Sequence, residues 1–340
     1  MRGSFKVRWL VPVALLTLTG TAARAVEAPA AAGAAAAPAP AAAKTEVVQS
    51  GSYKLQLPLG LPAQAAYIPA DNPLTAEKID LGKLLYSDPR LSKDNTIACA
   101  SCHRPFHGFA DPEKTSFGVG HQLGGRNSPT VINRLFSKEQ FWDGRAADLE
   151  AQAQGPLVNP VEMTMPSHAD VVKKVQSIKG YAPYFQKAFG TPEVTMPRIA
   201  QAIASYERTV VSGNSPYDRY VAGDQGAMSP AAVRGMTVFL GKGRCITCHA
   251  GFNFTDEKYH NLGVGMDKPK PDLGRYDQTK QDVDKGAFKT PTIRNIVETA
   301  PYMHDGSEGT LMEVVELYDG GGIKNPNLSP LIHNPSEPRL

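Results

Sequence analysis

The sequence has few cysteines and no strong excess of charge of either sign. Its 340 residues include only four cysteines and two tryptophans. The formal net charge is +3, but residues 1–25 contribute four basic residues and no acidic ones. Without that segment, 32 basic residues face 33 acidic ones. The rest of the chain therefore lacks the positive charge that would indicate nucleic acid or an anionic membrane surface as a partner.

Long apolar runs are also scarce. The run Leu10–Leu18 is short and is interrupted by Pro12, so we do not expect it to span a membrane. It follows a basic N-terminal stretch and precedes Ala23-Arg24-Ala25, which has the A-x-A form of a cleavage site. We predict that residues 1–25 are a signal peptide. The Ala- and Pro-rich residues 26–50 are predicted to be a disordered tether.

All four cysteines lie in two copies of one motif, so none is left for a disulfide. Each copy reads Cys-x-x-Cys-His: Cys99, Cys102 and His103 in the first, and Cys245, Cys248 and His249 in the second. This is the attachment signature of c-type haem. Two thiols three residues apart can reach the two vinyl groups of one porphyrin, and the following imidazole can bind the iron. The motifs predict two covalently bound haems.

Two other interpretations of the cysteines are a four-cysteine zinc site and thioredoxin-like dithiols. A zinc site does not require a histidine directly after each cysteine pair. Neither motif follows a strand pattern, which the dithiol interpretation would require. Attachment of haem to this motif takes place outside the cytoplasm, which agrees with a signal peptide. We therefore expect a periplasmic protein.

Helical periodicity dominates the rest of the chain, and strand patterns are rare. Apolar spacing and capping residues predict helices at 75–86, 149–154, 169–178, 195–210 and from 229 onward. Residues 104–129 are rich in glycine, proline and aromatic residues and are predicted to be a long loop. Glycine, serine and proline cluster in residues 213–228. We predict a mainly α protein with long irregular loops and two domains, at 51–220 and 221–340.

Several stretches around the motifs resemble the bacterial di-haem cytochrome c peroxidase family, which includes MauG-type enzymes. They occur in family order over about residues 72–322. The stretches are Leu81–Arg90, Gly125–Thr130, Phe141-Trp-Asp-Gly-Arg145, Asn159-Pro-Val-Glu-Met163, Tyr217–Tyr220, Phe288–Asn295 and Thr299–Gly306. The resemblance implies two cytochrome-c-like domains with one haem each, of which the N-terminal haem reacts with peroxide.

The resemblance also implies the residues around the first haem. Glu162 matches the family's acid/base carboxylate, which moves a proton between the peroxide oxygens. Gln152 and Pro156 match residues of the same pocket. Trp142, the only tryptophan outside the leader, matches the residue that carries electrons between the haems. His121 matches a histidine that closes the first iron at rest.

The sixth ligand of the second haem has three candidates. Peroxidases of the usual kind have a methionine fourteen residues after the histidine that corresponds to His304, and this sequence has Tyr318 there. Tyrosine is the MauG-type ligand, and a phenolate favours higher oxidation states of iron than a thioether does. Met303 and Met312 are the alternative ligands of the second haem. At the first haem, His107 is the alternative to His121.

Further expectations concern ions, partners and the C-terminus. Asn127, Thr299 and Pro301 match the family's calcium site, and oxygen ligands suit Ca²⁺. The resemblance implies a homodimer. It also implies an electron donor, either a small periplasmic cytochrome c or a cupredoxin. Relatives continue into another helix after the segment that ends near residue 322, whereas residues 325–340 here show no helical period.

These residues predict a di-haem peroxidase that reduces hydrogen peroxide to water, with electrons passing through Trp142 from the second haem. The first alternative is a MauG-like oxidase that uses high-valent haem to oxidise a partner protein; Tyr318 favours it, whereas His121 as a closing ligand favours the peroxidase. The second alternative is a non-catalytic electron-transfer cytochrome, which would need neither Glu162 nor Gln152.

Overall fold

Helices and irregular segments make up most of the structure, a computed structural model that describes residues 45–332. The predicted signal peptide (1–25), most of the predicted tether (26–50) and residues 333–340 lie outside the described residues. Among the described residues, no helix is both long enough and apolar enough to cross a membrane.

The described part of the chain contains ten α-helices, two short antiparallel strand pairs and several 3-10 turns. The helices are α1 (Ala76–Ser87), α2 (Cys99–Cys102), α3 (Leu149–Val158), α4 (His168–Ser177), α5 (Ala182–Phe189), α6 (Met196–Glu207), α7 (Pro216–Val221), α8 (Pro230–Leu240), α9 (Tyr276–Thr279) and α10 (Leu311–Asp319). The strands are β1 (Glu46–Ser50), β2 (Tyr53–Leu57), β3 (Tyr259–His260) and β4 (Phe288–Lys289); β1 pairs with β2, and β3 pairs with β4. The mainly helical class is thus confirmed.

The tether prediction was wrong for its last five residues, which form β1. Residues 46–50 contain two valines and neither alanine nor proline. Val48 and its partner Leu55 are both buried, so the hairpin has one apolar face. Gly51 makes the turn with φ +53°, and a Cβ there would come within 2.6 Å of the Leu74 carbonyl oxygen. Among the described residues, regular structure therefore begins at residue 46.

The main core joins helices α1, α3 and α6 beneath the first cysteine motif. The predicted helix at 75–86 is α1, and the Thr75 side chain accepts a hydrogen bond from the Lys78 backbone N–H as its N-cap. Leu81 of α1 and Ile203 of α6 are fully buried. Gly82 permits the close approach of these two helices, since a Cβ there would lie 1.9 Å from the Ala202 carbonyl oxygen.

Helices α8 and α10, which flank the second cysteine motif, have no buried residue. Their apolar faces line a cavity instead. The lining residues from these helices are Phe239, Leu311, Val314, Val315 and Tyr318. The apolar side chains that recur with helical spacing in α8 and α10 therefore face the cavity rather than a protein core.

The residues that were expected to separate two domains are tied into the structure. Asp218 of α7 forms a buried ion pair with Arg294 at 2.8 Å. The boundary between 51–220 and 221–340 stays a prediction. After α10 the chain has no further helix up to residue 332, as the sequence predicted. The Ser329 N–H donates to the Asn261 carbonyl, and Leu331 and Ile332 line the cavity, so this segment itself covers that face.

Candidate active site

One continuous cavity of about 750 Å³ is lined by both cysteine motifs. The residues that the sequence assigned to the first haem pocket, to the relay and to the calcium site also line it. They are Gln152, Pro156, Glu162, Trp142, Asn127, Thr299 and Pro301. The fold therefore gathers in one place residues that are up to two hundred positions apart in the sequence.

The first motif forms a short helix against the main core. Cys99 and Cys102 begin and end α2, and His103 follows as its C-cap. The Tyr86 hydroxyl donates a hydrogen bond to the His103 carbonyl at 3.0 Å. The His103 Nδ1 lies 3.4 Å from the Phe109 carbonyl oxygen. A carbonyl can only accept, so Nδ1 carries the hydrogen and Nε2 keeps the lone pair that a metal needs.

The second motif repeats this arrangement with different local structure. Residues Cys245–Thr247 form a 3-10 turn, and the His249 Nδ1 lies 3.0 Å from the Phe254 carbonyl oxygen. Burial lowers the pKa of both His103 and His249, which favours the neutral ligand form. Each motif therefore brings two thiols and one oriented imidazole to the cavity wall, and this set of groups fits a haem at each motif.

The zinc alternative does not agree with the structure. In residues 45–332, which include every cysteine, no cluster of possible metal ligands contains more than one cysteine. The one cluster found there joins Cys248, Asp256 and His260. The His260 Nε2 lies 2.8 Å from Asp256 Oδ2, and hydrogen bonds with Cys248 and Asp256 raise the pKa of His260 to about 9. Because Cys248 belongs to the haem motif, we assign no metal to this cluster.

Glu162 lies at the cavity wall in the loop that follows α3. The Asn159 amide donates a hydrogen bond to Glu162 Oε1 at 2.6 Å and so orients the carboxyl group. Burial raises the pKa of Glu162, and the nearby Arg145 guanidinium partly opposes this shift. Gln152 and Pro156 are four residues apart on α3 and line the same cavity. Asn159 was not predicted as a site residue, although it begins the motif that identified Glu162.

Trp142 is held by both halves of the chain. Its indole Nε1 donates a hydrogen bond to the Asn127 carbonyl at 2.8 Å. Its own carbonyl accepts one at 2.8 Å from the backbone N–H of Lys289, which belongs to β4. The indole is therefore fixed in the cavity wall by contacts from the first half and from the second.

The structure does not bring His121 to the first motif. His121 is exposed on its loop, packs edge-on against Phe117 at 5.9 Å between ring centroids, and does not line the cavity. The alternative residue, His107, is exposed as well and is also absent from the cavity wall. The chain beside His121 is nevertheless tied to the Glu162 loop, because the Val119 N–H donates to the Glu162 carbonyl at 2.9 Å.

Tyr318 lies on the cavity face of α10, seven residues after Leu311. Burial raises its pKa well above the usual value for a tyrosine. Met312 has 66% of its surface exposed and does not line the cavity, so it is not placed to be a ligand. Met303 does line the cavity and remains the alternative to Tyr318.

Asn127 is buried, and its amide nitrogen donates to the carbonyl oxygens of Glu113 and Lys114, each at 3.3 Å. This orientation leaves the side-chain oxygen for another partner, as an oxygen ligand of Ca²⁺ would require.

Four buried charged residues in the cavity wall were not predicted as site residues: Arg134, Asp143, Glu207 and Lys289. Each is at least 91% buried. Asp143 and Lys289 stand in stretches that resemble the family, whereas no motif distinguishes Arg134 and Glu207, which lie in an ordinary turn and an ordinary helix.

Comparison with known proteins finds relatives that match most of the chain. A family model described as di-haem cytochrome c peroxidase matches residues 76–226. The methylamine utilization protein MauG of Methylorubrum extorquens is 42% identical over 264 residues, which is 77% of this chain and 74% of that protein. Cytochrome c551 peroxidase of Nitrosomonas europaea is 43% identical over 251 residues, or 73% of this chain and 75% of that protein.

Solved structures share the fold. The crystal structure of a MauG-like protein associated with microbial copper homeostasis is similar with a TM-score of 0.71 and 31% identity, covering 82% of this chain and 87% of that one. The diheme peroxidase BthA from Burkholderia thailandensis has a TM-score of 0.70 at 22% identity, over 87% of this chain and 91% of that one.

Proposed function

This chain belongs to the di-haem cytochrome c peroxidase family and is an oxidoreductase, and from that premise we propose that it reduces hydrogen peroxide to water at the first haem. The observation that carries the proposal is the single cavity that joins both cysteine motifs, Glu162 and Trp142. An electron carrier without catalysis would not need an oriented, buried carboxyl group beside the first motif.

Six residues would hold the two haems: Cys99, Cys102 and His103 for the first, and Cys245, Cys248 and His249 for the second. Thioether bonds form when the thiols add to the vinyl groups. When bound, haem supplies the iron that binds peroxide and exchanges electrons.

Glu162 would move a proton from one peroxide oxygen to the other as the bond between them breaks. Burial raises the pKa of this carboxyl group, which makes it a stronger proton acceptor than a carboxyl group in water. Asn159 holds Oε1, so Oε2 remains available for this transfer. Gln152 would donate a hydrogen bond to the bound peroxide, and Pro156 would limit the space beside it. With two electrons and two further protons, the products are two water molecules.

Trp142 would carry electrons between the haems, and Tyr318 would be the second ligand of the haem at His249. Ca²⁺ would bind Asn127, Thr299 and Pro301, and the Asn127 carbonyl that holds the Trp142 indole would couple this ion to the relay.

A MauG-like oxidase is the second candidate function, because Tyr318 lies on the cavity face of α10. A phenolate ligand makes the second haem a poor entry point for electrons from a donor. In that case oxidising equivalents would pass outward to a partner protein instead. His121, which would favour the peroxidase as a closing ligand, is exposed and gives this choice no support.

We place the protein in the periplasm, because haem attachment to Cys-x-x-Cys-His occurs outside the cytoplasm and residues 1–25 have the pattern of a signal peptide. The donor would then be a small periplasmic cytochrome c or cupredoxin. The homodimer remains a prediction.

The test is peroxide consumption by the holoprotein with reduced cytochrome c as the donor. Sustained oxidation of cytochrome c with two equivalents per peroxide supports the peroxidase. A haem spectrum that changes on addition of peroxide without sustained turnover supports the MauG-like oxidase. If peroxide leaves the haem spectrum of both the oxidised and the half-reduced protein unchanged, the proposal fails. A non-catalytic electron-transfer cytochrome is then the function that is left.

A further inference from the structure

Arg134 is a buried cation without a protein partner. It begins a 3-10 turn directly after Asn133, and only 9% of its surface is exposed. Its side chain makes no hydrogen bond and no ion pair with any residue in the described range 45–332, and its Nε is fully buried. An unpaired guanidinium in a protein interior is costly, because its charge has lost water without gaining a counter-charge.

The acidic residues near Arg134 are engaged elsewhere or are not paired with it. Glu257 accepts a hydrogen bond from Ser137 at 2.7 Å and forms an ion pair with Lys289 at 3.2 Å. Glu207 also lines the cavity, but its Oε2 has no partner, and no ion pair joins it to Arg134. Burial raises the pKa of Glu207 to about 8, so this group is mostly neutral at pH 7.

The side chain of Arg134 faces the cavity that both motifs share. The turn that carries Arg134 is tied to the first motif by backbone hydrogen bonds. The Arg134 N–H donates to the Val131 carbonyl at 3.2 Å, and the Val131 N–H donates at 3.2 Å to the Phe109 carbonyl, the oxygen that also lies 3.4 Å from the His103 Nδ1. A ligand of Arg134 would therefore belong to the first motif rather than to the second.

We propose that Arg134 is an anion-binding residue of the cavity and that its ligand is a carboxylate of the haem at His103. This inference rests on the haems of the proposed function, but not on peroxide chemistry. A guanidinium matches a carboxylate through two parallel N–H···O bonds, and such a pair is strongest where water is excluded. Glu207, as a neutral acid on the same wall, can donate a further hydrogen bond without adding negative charge.

The pair has a consequence for electron transfer. A cation at the haem edge favours the reduced haem, which carries one more negative charge than the oxidised form. It also keeps the bound carboxylate ionised. Without Arg134, the first haem would be harder to reduce, and its carboxylate would take up a proton on reduction.

The test measures the midpoint potential of each haem between pH 5 and pH 9 in the holoproteins of the wild type, Arg134→Met and Arg134→Lys. Arg234→Gln, a change at an exposed arginine of α8, is the matched control. In Arg134→Met we expect the first haem's equilibrium to shift about tenfold toward the oxidised form, or about 59 mV. Its potential should also become more dependent on pH, while the second haem stays unchanged.

Arg134→Lys keeps the charge and should restore most of the potential, while the resonance Raman band of the haem carboxylates still shifts because the paired hydrogen bonds are lost. If Arg134→Met does not retain haem, the carboxylate band of Arg134→Lys tests the proposal by itself. The inference is overturned if the first haem's potential and carboxylate band match the wild type in both variants, or if both haems shift equally. None of these measurements uses peroxide, so a failure of the proposed peroxidase activity would be seen separately.

Discussion

Glu162, which is half-buried, and Glu207, which is buried, line one cavity, and the hydrogen-bond partners of their carboxyl groups differ. Glu162 is oriented by the Asn159 amide, whereas Glu207 has an oxygen without any partner. Burial raises the pKa of both groups, and for Glu207 the value reaches about 8. Only Glu162 has the fixed orientation that proton transfer to a substrate requires.

Glu207 should make the protein less stable as the pH rises. Its folded pKa of about 8 lies above the ordinary glutamic acid value of 4.5, so the folded state holds a proton that the unfolded state releases between these two values. The free energy of unfolding should therefore fall by up to about 1.4 kcal/mol per pH unit in that window. Glu207→Gln should remove this decline in denaturant titrations of the holoprotein at pH 5.5 and 7.5. The control is Glu77→Gln, a change at an exposed glutamate. If the free energy of unfolding changes equally with pH in Glu207→Gln, the wild type and this control, Glu207 is not the cause of the decline.

Tyr318 should be visible as a ligand in spectra of the oxidised holoprotein. If its phenolate binds the second iron, Tyr318→Phe changes the EPR and optical signals of that haem alone, and the wild type lacks the methionine–iron band near ~695 nm. Tyr184→Phe, a change at an exposed tyrosine, is the control. Unchanged spectra together with a methionine band would instead identify Met303 as the ligand.

Single residues could be predicted from the sequence where a motif contained them. The cysteines and histidines of the two motifs have a fixed spacing, and Glu162 and Trp142 stand in stretches that resemble the family, whereas Gln152 was assigned by its position relative to Glu162. Arg134 could not be predicted, because an arginine in a short turn is usually exposed and only the fold buries this one. His121 was expected at the iron, but a turn with φ +58° at that residue leaves it on the surface.

At the scale of elements, the long loop at residues 104–129 supports the loop that carries Glu162. Gly118 packs directly on the Glu162 loop, since a Cβ there would lie 2.1 Å from the Val161 carbonyl oxygen and 2.7 Å from that of Glu162. The backbone bond from Val119 to the Glu162 carbonyl continues this contact. The position of Glu162 therefore depends on a loop from an earlier part of the chain.

Gly118→Ala should displace the Glu162 loop. We expect about a 10²-fold loss of peroxide turnover from misplacement of the carboxyl group, and a loss of about 1–3 kcal/mol in stability from overpacking. Gly180→Ala is the matched control, because Gly180 is exposed, lies outside the cavity wall, and a Cβ there meets no atom within 4 Å. Steady-state kinetics and denaturant titrations of both variants check this. Wild-type turnover in Gly118→Ala would show that the loop does not position Glu162.

Helices with clear caps were predicted well from the sequence, and short elements were not. Ser167 and Ser229 accept the capping hydrogen bonds expected of them at the starts of α4 and α8. The β1–β2 hairpin was missed because five-residue strands after an Ala- and Pro-rich stretch give too short a pattern. α5 was also missed, since it has only eight residues.

At the scale of the whole molecule, buried ion pairs join distant parts of the chain. Arg294 and Asp218 lie 76 positions apart, and both side chains are at least 96% buried. Two parallel hydrogen bonds of 2.8 and 2.9 Å connect them, and they hold the pKa of Asp218 below its usual value although burial opposes this. The pair fixes α7 against the segment that follows β4.

Asp218→Asn should leave the Arg294 charge buried without a counter-charge. We expect a loss of about 3–5 kcal/mol in the free energy of unfolding, measured on the holoprotein with denaturant. Asp80→Asn, a change at an exposed aspartate of α1, should have almost no effect. A change below about 0.5 kcal/mol in Asp218→Asn would show that this pair does not contribute to joining the two halves.

The most direct test of the whole account is peroxide turnover by Glu162→Gln that retains both haems, with Glu316→Gln on the exposed side of α10 as the control. The account predicts a fall of about 10²–10⁴-fold in Glu162→Gln and wild-type turnover in the control. It also predicts that wild-type turnover decreases as the pH falls through the raised pKa of Glu162, and that this decrease is absent from the variant. Wild-type turnover in Glu162→Gln with both haems bound would contradict the account.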